Sequence, residues 1–228
     1  MRYLTRMRKV ENSKRPINLS GQTSQPGAPT NSNSHTMFLF FDTETTGLPA
    51  KGQYSNPTHP LTPKLVELAA ILFDADGNEL ESLVRIIKPY GFEIPSGASN
   101  VHGITTERAN KEGTELQPAI EAFLNLVERS EKLVAHNAQY DQLILDRVMI
   151  DLAYEGDFYI GRPIICTKEL TTPICRLPGF RGQFKWPTLQ EAHLHFFSEE
   201  FASAHSALAD VQACARIFFE GRKRGLWV

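Results

Sequence analysis

The 228-residue sequence predicts an α/β domain, a mixed β-sheet covered by helices, and three observations carry that prediction. MFLFFD (Met37 to Asp42) and KLVAHN (Lys132 to Asn137) are short and largely apolar, as strands buried on both faces are. KLVELAAILFD (Lys64 to Asp74) and ELESLVRIIKP (Glu79 to Pro89) flank Asp76-Gly77-Asn78, which reads as a hairpin turn. After that hairpin, strand-like runs alternate with helical ones, the order expected when helices cover a sheet that is no longer wholly antiparallel.

In chain order, residues 1–36 stand apart. They carry Arg2, Arg6, Arg8, Lys9, Lys14 and Arg15 against a lone acid, Glu11, and then run into Ser, Thr, Asn, Gly and Pro. Such a stretch buries too little apolar surface to offset its ordering entropy and is expected to be disordered. Three meanings stay open for it: an inert or upstream-extended tail before Met37, a phosphate-touching arm, or an Arg-rich, acid-poor transit peptide. Residues 37–228 form the expected single domain. Its first strand, Met37 to Asp42, is followed by a Pro-rich loop from Leu48 to Pro63 and then the hairpin. Thr114 to Glu128 repeats apolar residues at helical spacing through Leu116, Ile120, Phe123, Leu124 and Val127. A fourth strand, Lys132 to Asn137, precedes a helix from Gln139 to Ala153. RPIIC (Arg162 to Cys166) is a fifth strand, and helices over Thr188 to Phe197 and Ser206 to Arg224 complete the chain.

The formal net charge of −2 argues against coating long duplex DNA by bulk electrostatics, though not against gripping a strand end through metal ions. Cys166, Cys175 and Cys214 are odd in number and lack zinc-ligand spacing, so they read as reduced thiols in a cytoplasmic protein. No run of about 18 apolar residues offers a membrane span.

Three short constellations carry chemistry. Asp42-Thr43-Glu44 closes the first strand, where residues two apart project to one face, so both carboxylates point together. Paired like charges in an apolar segment are costly unless a cation compensates them; the bland alternative is a polar strand exit turning through Thr45-Thr46-Gly47. His136-Asn137-Ala138-Gln139-Tyr140-Asp141 ends the fourth strand. There Asn137 is a candidate N-cap and Asp141 sits one turn into the helix, either at a site or as surface charge near the positive helix end. His205-Ser206-Ala207-Leu208-Ala209-Asp210 opens the last helix, with Ser206 as candidate cap and Asp210 partly buried. A lone His before a helix is usually structural or merely exposed. The weight lies in the conjunction.

DTETTGL, VHGIT (Val101 to Thr105), AHNAQYD (Ala135 to Asp141) and HSALAD (His205 to Asp210) follow in the order and spacing of the DnaQ-like, DEDDh-type 3′–5′ exonucleases, which the chain resembles from Met37 to Gly221. The resemblance implies a ribonuclease H-like fold with a five-stranded mixed sheet. The histidine class is indicated by His205, five residues before Asp210; the tyrosine class would need Tyr where Ser206 stands. All-oxygen carboxylate ligands suit hard cations, so Mg²⁺ or Mn²⁺ is expected and zinc is not. Four carboxylates suit two ions about 3.5–4 Å apart, clamping attacking and leaving oxygens. By resemblance, Asp42 bridges both ions, Glu44, Asp141 and Asp210 complete the metal shell, and His205 is the general base that takes the water proton. The resemblance also assigns His102 to the terminal nucleotide, a turn-forming His being the alternative, and puts the Thr45 and Thr46 amides against the terminal sugar. Asn137 joins them as a substrate-binding residue. Tyr140 is read as core packing whose hydroxyl finds a partner.

Thr171 to Pro187 carries Arg176, Arg181 and Lys185 among Phe180, Phe184 and Trp186, either a single-strand-holding segment or a surface loop whose Trp186 plugs the core. The Leu48–Pro63 loop is expected over the same cleft, with no role assigned to Tyr54 or His59. The substrate expected is a single-stranded nucleic acid 3′ end, DNA favoured over RNA. The resemblance extends to the proofreading epsilon subunit of bacterial replicases and to free-standing phage or bacterial relatives, with RNase T and oligoribonuclease as the RNA-trimming alternative. A catalytically dead binding module is the third reading, disfavoured because all five chemical positions are filled. A DNA polymerase partner is possible, yet only Arg222 to Val228 follow the stretch of resemblance, leaving no C-terminal tether comparable to the proofreading subunit's.

Overall fold

The structure is a computed structural model, and it describes residues 36–53, 55–154, 156, 158–202 and 204–227. The expected tail, Thr36 excepted, and Tyr54 lie outside those residues. The elements are β1 (Phe38–Thr45), β2 (Leu65–Phe73), β3 (Glu79–Ile86), α1 (Ser96–His102), α2 (Thr106–Glu112), α3 (Leu116–Arg129), β4 (Lys132–Ala135), α4 (Ala138–Asp151), β5 (Ile164–Cys166), α5 (Thr167–Cys175), α6 (Leu189–Phe197) and α7 (Ala207–Lys223). The five strands form one mixed sheet in the order β3-β2-β1-β4-β5. The β1–β2 and β2–β3 pairs are antiparallel, whereas β1–β4 and β4–β5 are parallel.

The period-2 geometry of β1 divides its side chains between two cores. Leu39 and Phe41 pack with Phe123 of α3 and Ile144 of α4. Phe38 and Phe40 face the other way, onto Val211 and Phe218 of α7. That second layer is aromatic: Phe218 lies 5.2 Å from Phe38 and 5.4 Å from Phe40 between ring centroids, within the range of favourable edge contacts. Because both faces are covered, the continuous apolar reading of β1 and β4 is fulfilled, and β2, read only as a hairpin arm, is buried at every residue. The three cysteines are free.

Several expectations are corrected. α1 and α2 occupy a stretch read without helices; they are held by the αL residue Gly103 (φ 74°) at the end of α1 and by Thr105, whose side chain accepts from the Arg108 amide at the start of α2. The segment Thr171 to Pro187 is not loop throughout, since α5 runs to Cys175 with Pro173 inside it. Asn137 and Ser206 occupy N-cap positions, but neither side chain caps. Asn137 is left-handed (φ 73°) and its Oδ1 accepts from Lys168 Nζ at 2.5 Å instead. The Leu48–Pro63 loop is pinned at its base, Thr46 N donating to Lys64 O (3.0 Å) and Lys64 N to Thr46 Oγ1 (2.9 Å). Beyond Leu48 it packs on α4, with Arg147 donating to His59 O (3.3 Å). No helix among the described residues is long and apolar enough to cross a membrane.

Candidate active site

The antiparallel and parallel neighbours of β1 leave its C-terminal end open between α4 on one face and α7 on the other. A cleft of about 590 Å³ opens there, lined by Asp42, Glu44, Asp141 and Asp210, with His102, Asn137, Tyr140 and His205 around them. Asp42 and Glu44 point to one side of β1, as the D-x-E spacing requires, and Asp210 reaches them from the first turn of α7. One carboxylate oxygen from each of these three lies within 4.8 Å of the others. Asp141 is placed differently. It comes from the first turn of α4, is almost wholly buried, and accepts a hydrogen bond from Thr43 Oγ1 at 2.8 Å. It lines the same cleft but stands outside that tight trio.

Among the described residues no Lys or Arg lines this cleft. Four carboxylates therefore meet in a partly desolvated space without a counter-charge, and their proton affinities rise. Burial first, then Asp141, Asp210, Glu44 and Glu67, drive Asp42 well above the usual carboxylate range. Burial and the charges of Asp210, Glu67 and Asp141 push Glu44 to about 8. Burial pushes Asp141 to about 7 against the opposing Thr43 hydrogen bonds. It takes Asp210 to about 6 against the opposing His205 ring and amide. Clustered oxygen donors that repel one another so strongly fit a divalent cation in their midst.

Glu67 was missed in the sequence. It pairs across the sheet with Glu44 and is itself buried; its Oε2 accepts from the Ala207 amide at 3.2 Å. That carboxylate thus caps the start of α7, the task expected of Ser206, and fixes the helix that carries Asp210. The available signal was one acid inside an otherwise apolar strand.

The remaining candidates fall into place unevenly. His205 is exposed on the cleft wall, in the left-handed region (φ 72°), immediately before α7. His102 ends α1; its Nδ1 accepts from the Ile104 amide (3.1 Å), while its Nε2 is buried toward the Thr45 backbone. Burial lowers its proton affinity. Thr45 lines the cleft, its hydroxyl bonded to the Tyr140 hydroxyl, which also donates to Gly47 O (2.7 Å). Thr46 does not line the cleft, and its amide is spent on Lys64 O. His136 is a structural post: Nε2 faces the Pro187 carbonyl (3.1 Å) and therefore carries the ring proton, while Nδ1 faces Thr167 Oγ1 (3.0 Å). Burial pushes its pKa down to about 4, so it is neutral.

A family model described as RNase_T, an exonuclease, matches residues 39–218. A DNA polymerase III of the PolC type from Mycoplasmopsis pulmonis is 29% identical over 139 residues, which is 61% of this chain and 9% of that protein. Escherichia coli exonuclease I in complex with a dT13 oligonucleotide superposes with a TM-score of 0.67 at 20% identity, covering 83% of this chain and 41% of that one. Exonuclease I from Methylocaldum szegediense gives 0.64 at 19% identity, with 83% and 41% covered. A zinc-bound form of the E. coli enzyme with single-stranded DNA gives 0.62 at 20%, with 84% and 41% covered. The chain thus spans well under half the length of each of these relatives, and the structural likeness identifies the ribonuclease H-like fold.

Proposed function

The chain belongs to the RNase_T exonuclease family, and from that membership we propose that it removes nucleotides one at a time from the 3′ end of single-stranded DNA or frayed duplex, releasing nucleoside 5′-monophosphates. The observation that carries this reading is the convergence of Asp42, Glu44 and Asp210 within 4.8 Å in a cleft that Asp141 also lines. Residues 37–228 constitute the exonuclease domain in this reading, and residues 1–36 an appended tail. The cytoplasm is the proposed location.

Two Mg²⁺ or Mn²⁺ ions are the proposed cofactors, held by Asp42, Glu44, Asp141 and Asp210. When bound, they supply Lewis-acid stabilisation of the charge that builds on the phosphate and on its attacking and leaving oxygens. The protein's own residues do the rest. His205, free at the cleft wall, takes a proton from the attacking water. The new bond forms from water oxygen to phosphorus, the P–O3′ bond breaks, and the departing 3′ oxygen gains a proton. His102 meets the terminal nucleotide, Asn137 and the Thr45 backbone flank it, and the apolar wall of Leu48, Ala98 and Val101 receives its base. Tyr140 holds the Thr45–Gly47 turn in place for that purpose.

DNA is preferred because the superposed exonuclease I structures include complexes with dT13 and dA16 oligonucleotides. A digestion panel tests the reading: 5′-labelled single-stranded DNA, 3′-mismatched duplex and RNA, each with Mg²⁺ or EDTA. A ladder shortening from the 3′ end of DNA, abolished by EDTA, is expected. Exclusive cutting of RNA, internal cutting, or activity in EDTA refutes it. Partnership with a DNA polymerase, raised by the PolC likeness, is tested by co-elution on size-exclusion chromatography.

A further inference from the structure

We propose that the segment between α5 and α6, residues 176–187, is a stacking platform for the bases upstream of a single strand's 3′ end; this rests on the nuclease reading above. Three large aromatic rings stand in solvent there: Phe180 is 79% exposed, Phe184 50% and Trp186 62%. Rings of that size are normally buried, so three exposed together need an occupant. Trp186 does not plug the core.

The platform is an ordered turn. Lys185 N donates to Leu177 O (3.0 Å), Pro178 bridges Phe184 in antiparallel fashion, and Gln183 N donates to Phe180 O (3.2 Å). A Cβ on Gly179 would meet Gln183 O at 2.5 Å, so the two arms of the turn touch backbone to backbone.

Its root is tied to the cleft. Lys168 Nζ sits 4.0 Å from the Trp186 ring centroid while donating to Asn137 Oδ1, and the Pro187 carbonyl accepts from His136. Two residues on, Leu189 lines the cleft itself. The charge also suits a polyanion. Between Glu169 and Glu191 the sequence holds no carboxylate side chain but has Arg176, Arg181 and Lys185. Lys185 is paired with Glu191 (2.5 Å), and Arg181 lies over the Phe180 ring at 5.0 Å. Aromatic faces interleaved with cations, beside a cleft that processes strand ends, hold bases by stacking and phosphates by charge. Because every base offers a π-face, the platform is indifferent to the sugar.

The test is the double variant Phe180→Ala/Phe184→Ala, which leaves the cleft residues intact. For dT12 the KM is expected to rise about tenfold or more, with kcat unchanged. Hydrolysis of the p-nitrophenyl ester of thymidine 5′-monophosphate, too short to reach the platform, is expected to stay at the wild-type rate. An unchanged KM for dT12, or an equal loss on the ester, overturns the proposal. Should the wild-type chain hydrolyse neither substrate, the nuclease reading fails by itself. The platform is then judged by fluorescence anisotropy of labelled dT12 and rU12. A comparable loss of affinity on both oligomers in the double variant supports it; no loss, or loss on one sugar only, refutes it.

Discussion

At the scale of single residues, the site is defined by charges that the polypeptide does not balance. Asp42, Glu44, Asp141 and Asp210 all bind protons more tightly than usual because burial penalises their ionised forms, joined at Asp42, Glu44 and Asp141 by repulsion from neighbouring carboxylates. Replacing one should harm catalysis and help the metal-free fold. Asp42→Ala or Asp210→Ala is expected to lower the exonuclease rate about 10³-fold or more. Asp210→Asn is expected to raise the thermal midpoint measured in EDTA. Full activity of either alanine variant in Mg²⁺ removes the site assignment. His205 is exposed and carries no structural hydrogen bond from its ring among the described contacts. His205→Ala should therefore cost about 10²–10⁴-fold in kcat, with Mn²⁺ binding by calorimetry unchanged. Weakened metal binding in that variant would reassign the histidine to the ligand set.

At the scale of elements, the helices that carry site residues are fixed at their N-termini by different devices, and these differ in how visible they are in sequence. α6 opens on a full capping box, the Thr188 hydroxyl accepting from the Glu191 amide and the Glu191 carboxylate accepting from the Thr188 amide (2.9 Å). Thr188→Ala is expected to cost about 1 kcal/mol, read as a lower urea midpoint at unchanged m-value. Loss below the measurement error would show that packing of Phe196 alone sets the helix start. That box can be read as Thr-x-x-Glu, whereas the cap of α7 cannot, because Glu67 arrives from β2, 140 positions away. The same contrast runs through the fold. β1 and β4 were legible because burial on both faces writes a continuous apolar run, β2 and β3 because a turn joins them, and the D-x-E pair because a strand repeats every two residues. α1 was not: SGASNVH has no buried residue, and its bounds come from Pro95 and from the positive φ of Gly103. α5 was hidden by Thr-Thr-Pro, which reads as a breaker although Pro173 sits in a helix. At Asn137 the cap position was right and the bond wrong, since a left-handed backbone sends the side chain to Lys168. Trp227 is the tryptophan that packs inward, donating to Phe218 O at 2.9 Å. Composition alone cannot distinguish it from Trp186.

At the scale of the whole molecule, placing four acids at one end of a sheet couples folding to pH and to metal. A carboxyl whose folded pKa is raised keeps its proton in the native state where the unfolded chain has released it. Its stabilising contribution is thus full below the unfolded value, about 4, and is lost as pH climbs through the folded value. For Asp210, Asp141 and Glu44 the folded values are about 6, 7 and 8, so the metal-free protein sheds stability stepwise between about pH 4 and 8. His136 works in the opposite sense. Its folded value is about 4, so its contribution is present above the unfolded value and is lost as pH falls toward 4. One histidine opposes several carboxyls, and above about pH 6.5 it no longer changes with pH while Asp141 and Glu44 still titrate. In EDTA the thermal midpoint is therefore expected to fall between pH 6.5 and 8. A divalent cation replaces the lost protons as the compensating charge, so its effect should grow over the same interval. At free Mg²⁺ a hundredfold above its dissociation constant the gain is about 2.7 kcal/mol, or roughly 5–10 °C for a domain of this size. At pH 5, where protons compete for the same oxygens, 10 mM Mg²⁺ should move the midpoint much less. Scanning calorimetry at pH 5, 6.5 and 8, with EDTA or Mg²⁺, reads all of this directly. A Mg²⁺ shift equal at pH 5 and 8 would mean that the carboxylates are not what the ion binds.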